Sequence, residues 1–426
     1  MTTRIDRRML LAMMGAGGAS ALAACAGPGS GGGGEQDGPD TDGAIEGEVS
    51  FAHWRAEDQE AFEDLITTFT SEHADVSITQ DITPSNDYQS QALNRLQSSA
   101  VGDIFPTFRG AQFTQFVDAG VYTDLSDQDF VGNYEAGLIE AGQSDGTQWG
   151  LPYQVVLPMP IGNLDILSDV GYEETPTTWD GFLDMCDKVM SAGITPLAWP
   201  GGAPGDAGQL YNSMIMNLQP EEDASAQLEA GTLKCTDDWF LEMLAKYAEL
   251  RPFFQSNATG TSVEPIQQMF VDGEAAMLVT GSYHIAAVRD LGAEFPMGLY
   301  PPITTDSDPT YTGTYNATFI LGINAASDVQ PAATEFLRFL SDPANAQVYA
   351  DATVQHVSVS GVEYSNPDLM ELSPWLERDD LMLAARFQFD DLDIRNAVEG
   401  ACIEVVGGAD PEAAAENAQG IIDERL

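Results

Sequence analysis

Two tripeptides carry the side chains best suited to recognising a ligand: His53-Trp54-Arg55 and Thr107-Phe108-Arg109. Each sets an aromatic ring beside a guanidinium. A ring offers a flat apolar face, and a guanidinium is a rigid fork of hydrogen-bond donors. The chain has no nucleophile elbow, HExxH helix or phosphate-binding loop. A secreted glycosidase, which needs only two carboxylates about the scissile bond, stays the rival class in a chain with 67 acidic residues. No CxxC or Cys/His spacing suggests zinc. Asp37, Asp40 and Asp42 before Gly43 fail the oxygen spacing of a calcium loop, so no metal or cofactor is expected.

The elements that position these tripeptides follow from periodicity. Val49 and Phe51 alternate with polar neighbours, which predicts a strand ending at His53. Phe62, Leu65, Ile66 and Phe69 recur at helical spacing. Val76 and Ile78 alternate again, Tyr88, Ala92, Leu93, Leu96 and Ala100 read as a second helix, and Gly102-Asp103-Ile104-Phe105 follows as a third strand. Strands alternating with helices at this spacing predict a parallel α/β sheet. Ligands of such sheets sit beyond the carboxyl ends of the strands, which brings both tripeptides to one rim. Further on, Leu151 to Pro160 is extended and proline-rich. Thr178 is the expected cap of a helix from Trp179. Helical stripes fall at Phe240, Leu241, Leu244, Tyr247 and Ala248, and at Ala333, Phe336, Leu337 and Leu340.

Of 426 residues, 67 are acidic and 16 basic, for a net charge of −51. Such a field repels phosphate backbones and argues against a nucleic-acid partner. With 43% hydrophobic residues the core is ordinary. The acid is spread along the whole chain and reads as a surface adapted to strong salt, where screening acts over about 3 Å at 1 M.

Residues 1–24 read as an export signal, with Arg7-Arg8 before an uncharged run. That pair resembles the twin-arginine signal, and Leu22-Ala23-Ala24-Cys25 resembles a lipobox in which Cys25 is lipidated. Residues 25–47 form a Gly- and Asp-rich tether. The expected location is therefore outside the cytoplasm, lipid-anchored to the outer face of the cytoplasmic membrane. Cys186, Cys235 and Cys402 remain, an odd number. Core thiols are expected, with a Cys186–Cys235 bridge as the alternative.

Several landmarks in order resemble a known family. They are Val101-Gly102-Asp103-Ile104, Ala119 to Leu125, Trp149-Gly150-Leu151-Pro152-Tyr153 and Pro176 to Asp180. Phe270 to Met277 then leads into Thr280-Gly281-Ser282-Tyr283, followed by Gly322 to Ser327. Over residues 48–426 the sequence is similar to the family 1 extracellular solute-binding proteins, the group of the maltose-binding protein, which serve carbohydrate ABC importers. It departs from them at Gly162-Asn163, where the family has Tyr-Asn.

The resemblance implies a two-lobed α/β fold with hinge-crossing strands and a central ligand cleft. Lobe one would hold 48–154 and 313–354, and lobe two 155–312 and 355–426. The chain would bind a mono- or oligosaccharide as a monomer, perform no chemistry, and dock on permease subunits. A sugar site needs aromatic platforms and planar polar groups. The platform candidates are Trp54, Tyr153, Trp199 and Tyr283. The polar candidates are Arg55, Arg109, Asp206, His284, Asn316 and Arg395. An acidic sugar, a polyamine or a peptide is the alternative solute.

Overall fold

The structure, a computed structural model, describes residues 43–98 and 102–426. The export signal, Cys25 and the tether through residue 42 lie outside the described residues. Strands β1 (Gly47–His53), β2 (Val76–Ile82) and β3 (Ile104–Thr107) are followed by a short hairpin, β4 (Gln143–Ser144) and β5 (Thr147–Gln148). Then come β6 (Leu151–Val156), β7 (Ile161–Asn163), β8 (Thr195–Ala198), β9 (Ala275–Leu278) and β10 (Met297–Leu299). The last are β11 (Gly313–Ile323), β12 (His356–Val357) and β13 (Leu381–Leu383).

These strands build two main sheets, one for each lobe of the fold. The larger has the order β12-β6-β11-β3-β1-β2, with β13 also on β11, and the smaller is β10-β7-β9-β8. β1 runs parallel to β2, from Gly47 opposite Val76 to His53 opposite Ile82, and parallel to β3 at Phe51 opposite Ile104. The parallel pairing expected of these three strands is present, and β8–β9 and β11–β13 are parallel too, but the large sheet is mixed. β11 is antiparallel to both β3 and β6, because it enters the large sheet on its return from the small one. A parallel neighbour would need a crossover on the same sheet. Successive strands change sheet between Val156 and Ile161, and again between Leu299 and Gly313.

Helix Gln59–Glu72 buries Ala61, Phe62, Leu65 and Phe69 against the large sheet's core, as its spacing requires. Helix Trp179–Ser191 is capped by Thr178, whose hydroxyl accepts from the Gly181 amide at 3.1 Å. Helix Asp238–Leu250 turns Met243 and Leu250 inward, while Leu241 and Ala248 stay partly exposed. A second core, containing Trp179, Phe240, Tyr247 and Phe389, packs on the small-sheet side. Cys186, Cys235 and Cys402 are free and buried in it. Burial pushes the Cys235 thiol up to about 12 and the other two also upward, so all three are inert core residues.

Phe319, inside β11, takes φ 52°, a left-handed conformation that costs a non-glycine residue about 1–2 kcal/mol. Its ring lies 4.9 Å from Trp54 and 6.1 Å from Phe62, and that packing holds it there. Among the described residues, no helix is long and apolar enough to cross a membrane. Nor does any group of His, Cys, Asp or Glu among them have metal-holding geometry.

Candidate functional site

The rim after β1 is built from its own hydrogen bonds. His53 Nδ1 accepts from the Arg55 amide at 3.2 Å, which leaves Nε2–H to donate to Gln80 Oε1 at 3.0 Å. Trp54 is 9% exposed and stacks on Phe108 at 3.9 Å, with Tyr88 at 5.2 Å. One indole face is thus spent on Phe108, and the half-buried Phe108 ring completes an aromatic lip. Arg55 donates from Nε (2.9 Å) and Nη2 (2.8 Å) to Asp58 and pairs with Glu57 at 3.0 Å. Burial works against its charge, but Asp58 and Glu57 outweigh it and keep the guanidinium protonated. Asp58 also accepts from Gln154 on β6 and from Tyr349. Arg55 is therefore closed off by carboxylates and ties the rim to a crossing strand. The expectation of an open polar group there is corrected.

The opposite wall comes from the small-sheet lobe. The turn Ser282–His284 follows β9 and sets Tyr283 edge-on to His284 at 4.6 Å. The Tyr283 hydroxyl has no hydrogen-bond partner among the described residues. Burial raises its pKa, while Arg386 and Arg55 oppose the shift. His284 Nδ1 is buried without a partner, and burial, helped by Arg55, lowers the imidazole to about 3. It is neutral at physiological pH and free to exchange a hydrogen bond. Asp206, on helix Pro204–Ala207, is half-buried and unpaired; burial raises its pKa and Arg386 opposes. Arg55, Asp206, Tyr283 and His284 thus share one electrostatic neighbourhood across the two lobes.

The floor is β11. Asn316 is fully buried, and neither its amide nitrogen nor its oxygen has a partner among the described residues. Thr318, two residues along the same face, has an unpartnered hydroxyl, as does Thr280, and the Gln209 amide oxygen is equally open. Native interiors rarely leave such atoms unpaired, since each lost hydrogen bond costs about 1–3 kcal/mol. Open donors and acceptors concentrated at a crossing strand and its flanking wall suit a ligand carrying several hydroxyls.

Two further groups complete the wall. Arg386, 5% exposed, donates from Nε to Glu399 Oε1 at 2.7 Å. Glu399 Oε2 is unpartnered, and a Cβ at Gly208 would come within 2.2 Å of its carboxyl. Arg395, one helical turn before Glu399 on helix Leu392–Val406, is 3% exposed, and its Nε has no hydrogen-bond partner among the described residues. The lobes meet beside this group. Thr114 donates to Asp390 Oδ1 at 2.7 Å. Gly110, at φ 80°, lies so close that a Cβ would be 2.7 Å from the carbonyls of Phe387 and Phe389. Next to that contact is a cavity of about 340 Å³ lined by Gln112, Gln115, Asp391, Asp393 and Arg395. A larger groove of about 580 Å³, over Val155, Tyr315 and Val357, carries none of the open polar atoms.

A two-lobed fold with this cleft can be compared with known proteins. The model of the family described as bacterial extracellular solute-binding protein matches residues 54–347, more than half of the chain. The protein belongs to that family. This solute-binding protein is 22% identical over 306 residues to the melibiose/raffinose/stachyose-binding protein MelE of Bacillus subtilis (strain 168), covering 70% of each chain. Its fold matches a chitin oligosaccharide binding protein with a TM-score of 0.79, at 19% identity over 89% of this chain and 99% of that one. It also matches RafE in complex with raffinose, with a TM-score of 0.76 at 16% identity and the same coverage.

In this solute-binding protein Tyr153 and Trp199 are not platforms, a correction to the aromatic expectation. Both are fully buried. The Tyr153 hydroxyl donates to Leu340 O at 3.2 Å, and Trp199 Nε1 donates to Ala207 O at 3.1 Å. Polar edges already satisfied inside the fold have nothing left for a ligand. Arg109, after β3, is half-buried without a side-chain hydrogen-bond partner among the described residues, and burial lowers its pKa. Arg386, Glu399 and Phe108 were missing from the sequence-based set. Phe108 stood inside a tripeptide already singled out; Arg386 and Glu399 carried no local signal.

Proposed function

We propose that this protein captures a carbohydrate between its two lobes and delivers it to the permease of an ABC importer. Lobe one holds residues 48–154 and 313–354, and lobe two holds 155–312 and 355–426. Cys25 carries the lipid that keeps the protein at the outer face of the cytoplasmic membrane, and the chain acts as a monomer without catalysis. The observation that carries this reading is the set of unpartnered polar atoms on Asn316, Thr318, Thr280 and His284, flanked by Phe108 and Tyr283. A pyranose ring edged by hydroxyls has the complementary chemistry. A ligand bridging both walls favours the closed arrangement.

The test is thermal unfolding of the secreted chain against mono- to oligosaccharides, with each mixture checked for product. At a hundredfold excess over Kd, a ligand adds about 2.7 kcal/mol of stability. Tyr283→Ala is expected to weaken binding by about tenfold to a hundredfold, through one lost ring contact and one lost hydrogen bond. Gly110→Ala is expected to weaken it at unchanged site chemistry, because the added methyl holds the lobes apart. No stabilisation by any sugar would sink the reading, and product formation would replace it with a glycosidase.

The charge of −51 supports a halophilic surface. Melting temperature is expected to rise between about 0.1 M and about 2 M KCl as self-repulsion is screened. A flat or falling trend would reject it.

A further inference from the structure

The charge balance of the wall around Arg395 is unusual for so acidic a chain. Arg386 and Arg395 are both buried, and the wholly buried acid beside them, Glu399, is bonded to Arg386. The three acids that line the cavity have partners of their own, and one of these, Arg425, lines it too. Asp391 and Asp393 pair with Arg425 at 2.7 and 3.2 Å, and Asp390 accepts from Thr114. Arg395 Nε is sealed from solvent without a partner, while the residue lines the 340 Å³ cavity between the lobes. Burial and the like charge of Arg386 lower its pKa to about 10, with Glu399 opposing. Arg109, after β3, is a second guanidinium with no carboxylate bonded to it among the described residues.

Holding two guanidiniums out of water beside one carboxylate, which bonds only Arg386, is costly. Hydroxyls of a neutral sugar would satisfy the N–H groups of Arg395 but not its charge. A carboxylate would do both, since its two oxygens match the guanidinium fork. We propose that the solute is an acidic sugar, a hexuronate or an oligosaccharide carrying one, whose carboxylate is received by Arg395. This rests on the carbohydrate reading above and narrows it.

Titration calorimetry with pairs of ligands differing only at C6, hexose against hexuronate, from mono- to trisaccharide, tests the proposal on the unaltered secreted chain. At least one hexuronate is expected to bind about tenfold or more tighter than its neutral partner. Arg395→Gln is expected to lower that hexuronate's affinity by about 30-fold and its partner's by less than about threefold. Equal affinity within every pair overturns the acidic-sugar proposal and leaves the carbohydrate reading standing. Equal losses for both members in Arg395→Gln do the same. If no member of any pair binds, both readings fall. The wild-type comparison needs no variant, so a misfolded Arg395→Gln leaves the outcome decisive.

Discussion

Replacing Glu399 with Ala is expected to lower the unfolding free energy by roughly 3–5 kcal/mol, the cost of stripping the partner from a buried charge. Glu399 is 0% exposed and Arg386 5%, so neither can recover hydration by a small rotation. Arg395 loses an attractive buried neighbour in the same step. The double replacement Arg386→Met with Glu399→Leu is expected to recover much of the loss, because apolar groups of similar size need no counter-ion. Urea unfolding of the three proteins at one high salt concentration measures this. A single-variant loss below about 1 kcal/mol would mean that the pair behaves like an exposed one, and the account of this wall would be wrong.

Mild acid is expected to destabilise the protein well before its carboxylates titrate. His53 and His356 are buried, and burial lowers both from 6.5 to about 4. For His53 the Gln80 hydrogen bond and Asp58 oppose that shift; for His356 the Leu369 carbonyl does. Above pH 6.5 both states hold neutral imidazoles, and the stability is fully present. Below it the unfolded chain takes up protons that the folded chain refuses, so stability falls until about pH 4. Each histidine contributes roughly 3 kcal/mol of such stability. His284 adds to the trend in the same direction. Carboxylate protonation relieves self-repulsion in the opposite sense, but it begins closer to pH 4. Melting temperature is therefore expected to drop between about pH 7 and about pH 5 with uptake of protons. His356→Gln, whose amide can still donate to Leu369 O, is expected to flatten the slope. A melting temperature that is level or rises on acidification would contradict the burial of these imidazoles.

Both predictions turn on groups that the sequence presents as ordinary. The features legible in the sequence are local. Phe62, Leu65 and Phe69 mark one helix face, Val49 and Phe51 a strand, and Thr178 a cap, because each depends on neighbours within a turn or a pleat. The rim position of Trp54 and Arg109 followed from the same periodicity. Asp58, three residues after Arg55, is within reach of the same local logic as a partner.

The candidate site emerges only with tertiary packing. Glu399 and Arg386 are an acid and a base thirteen residues apart in a chain full of acids, and only helix packing removes both from water. Tyr153 and Trp199 have platform chemistry, yet their polar edges meet Leu340 and Ala207 inside the fold. Gly110 acquires its role from carbonyls nearly 280 residues later. A side chain's type sets which bonds it can make, but burial and the atoms left unpaired around it set which bonds remain for a ligand. Those quantities exist only once distant segments have packed.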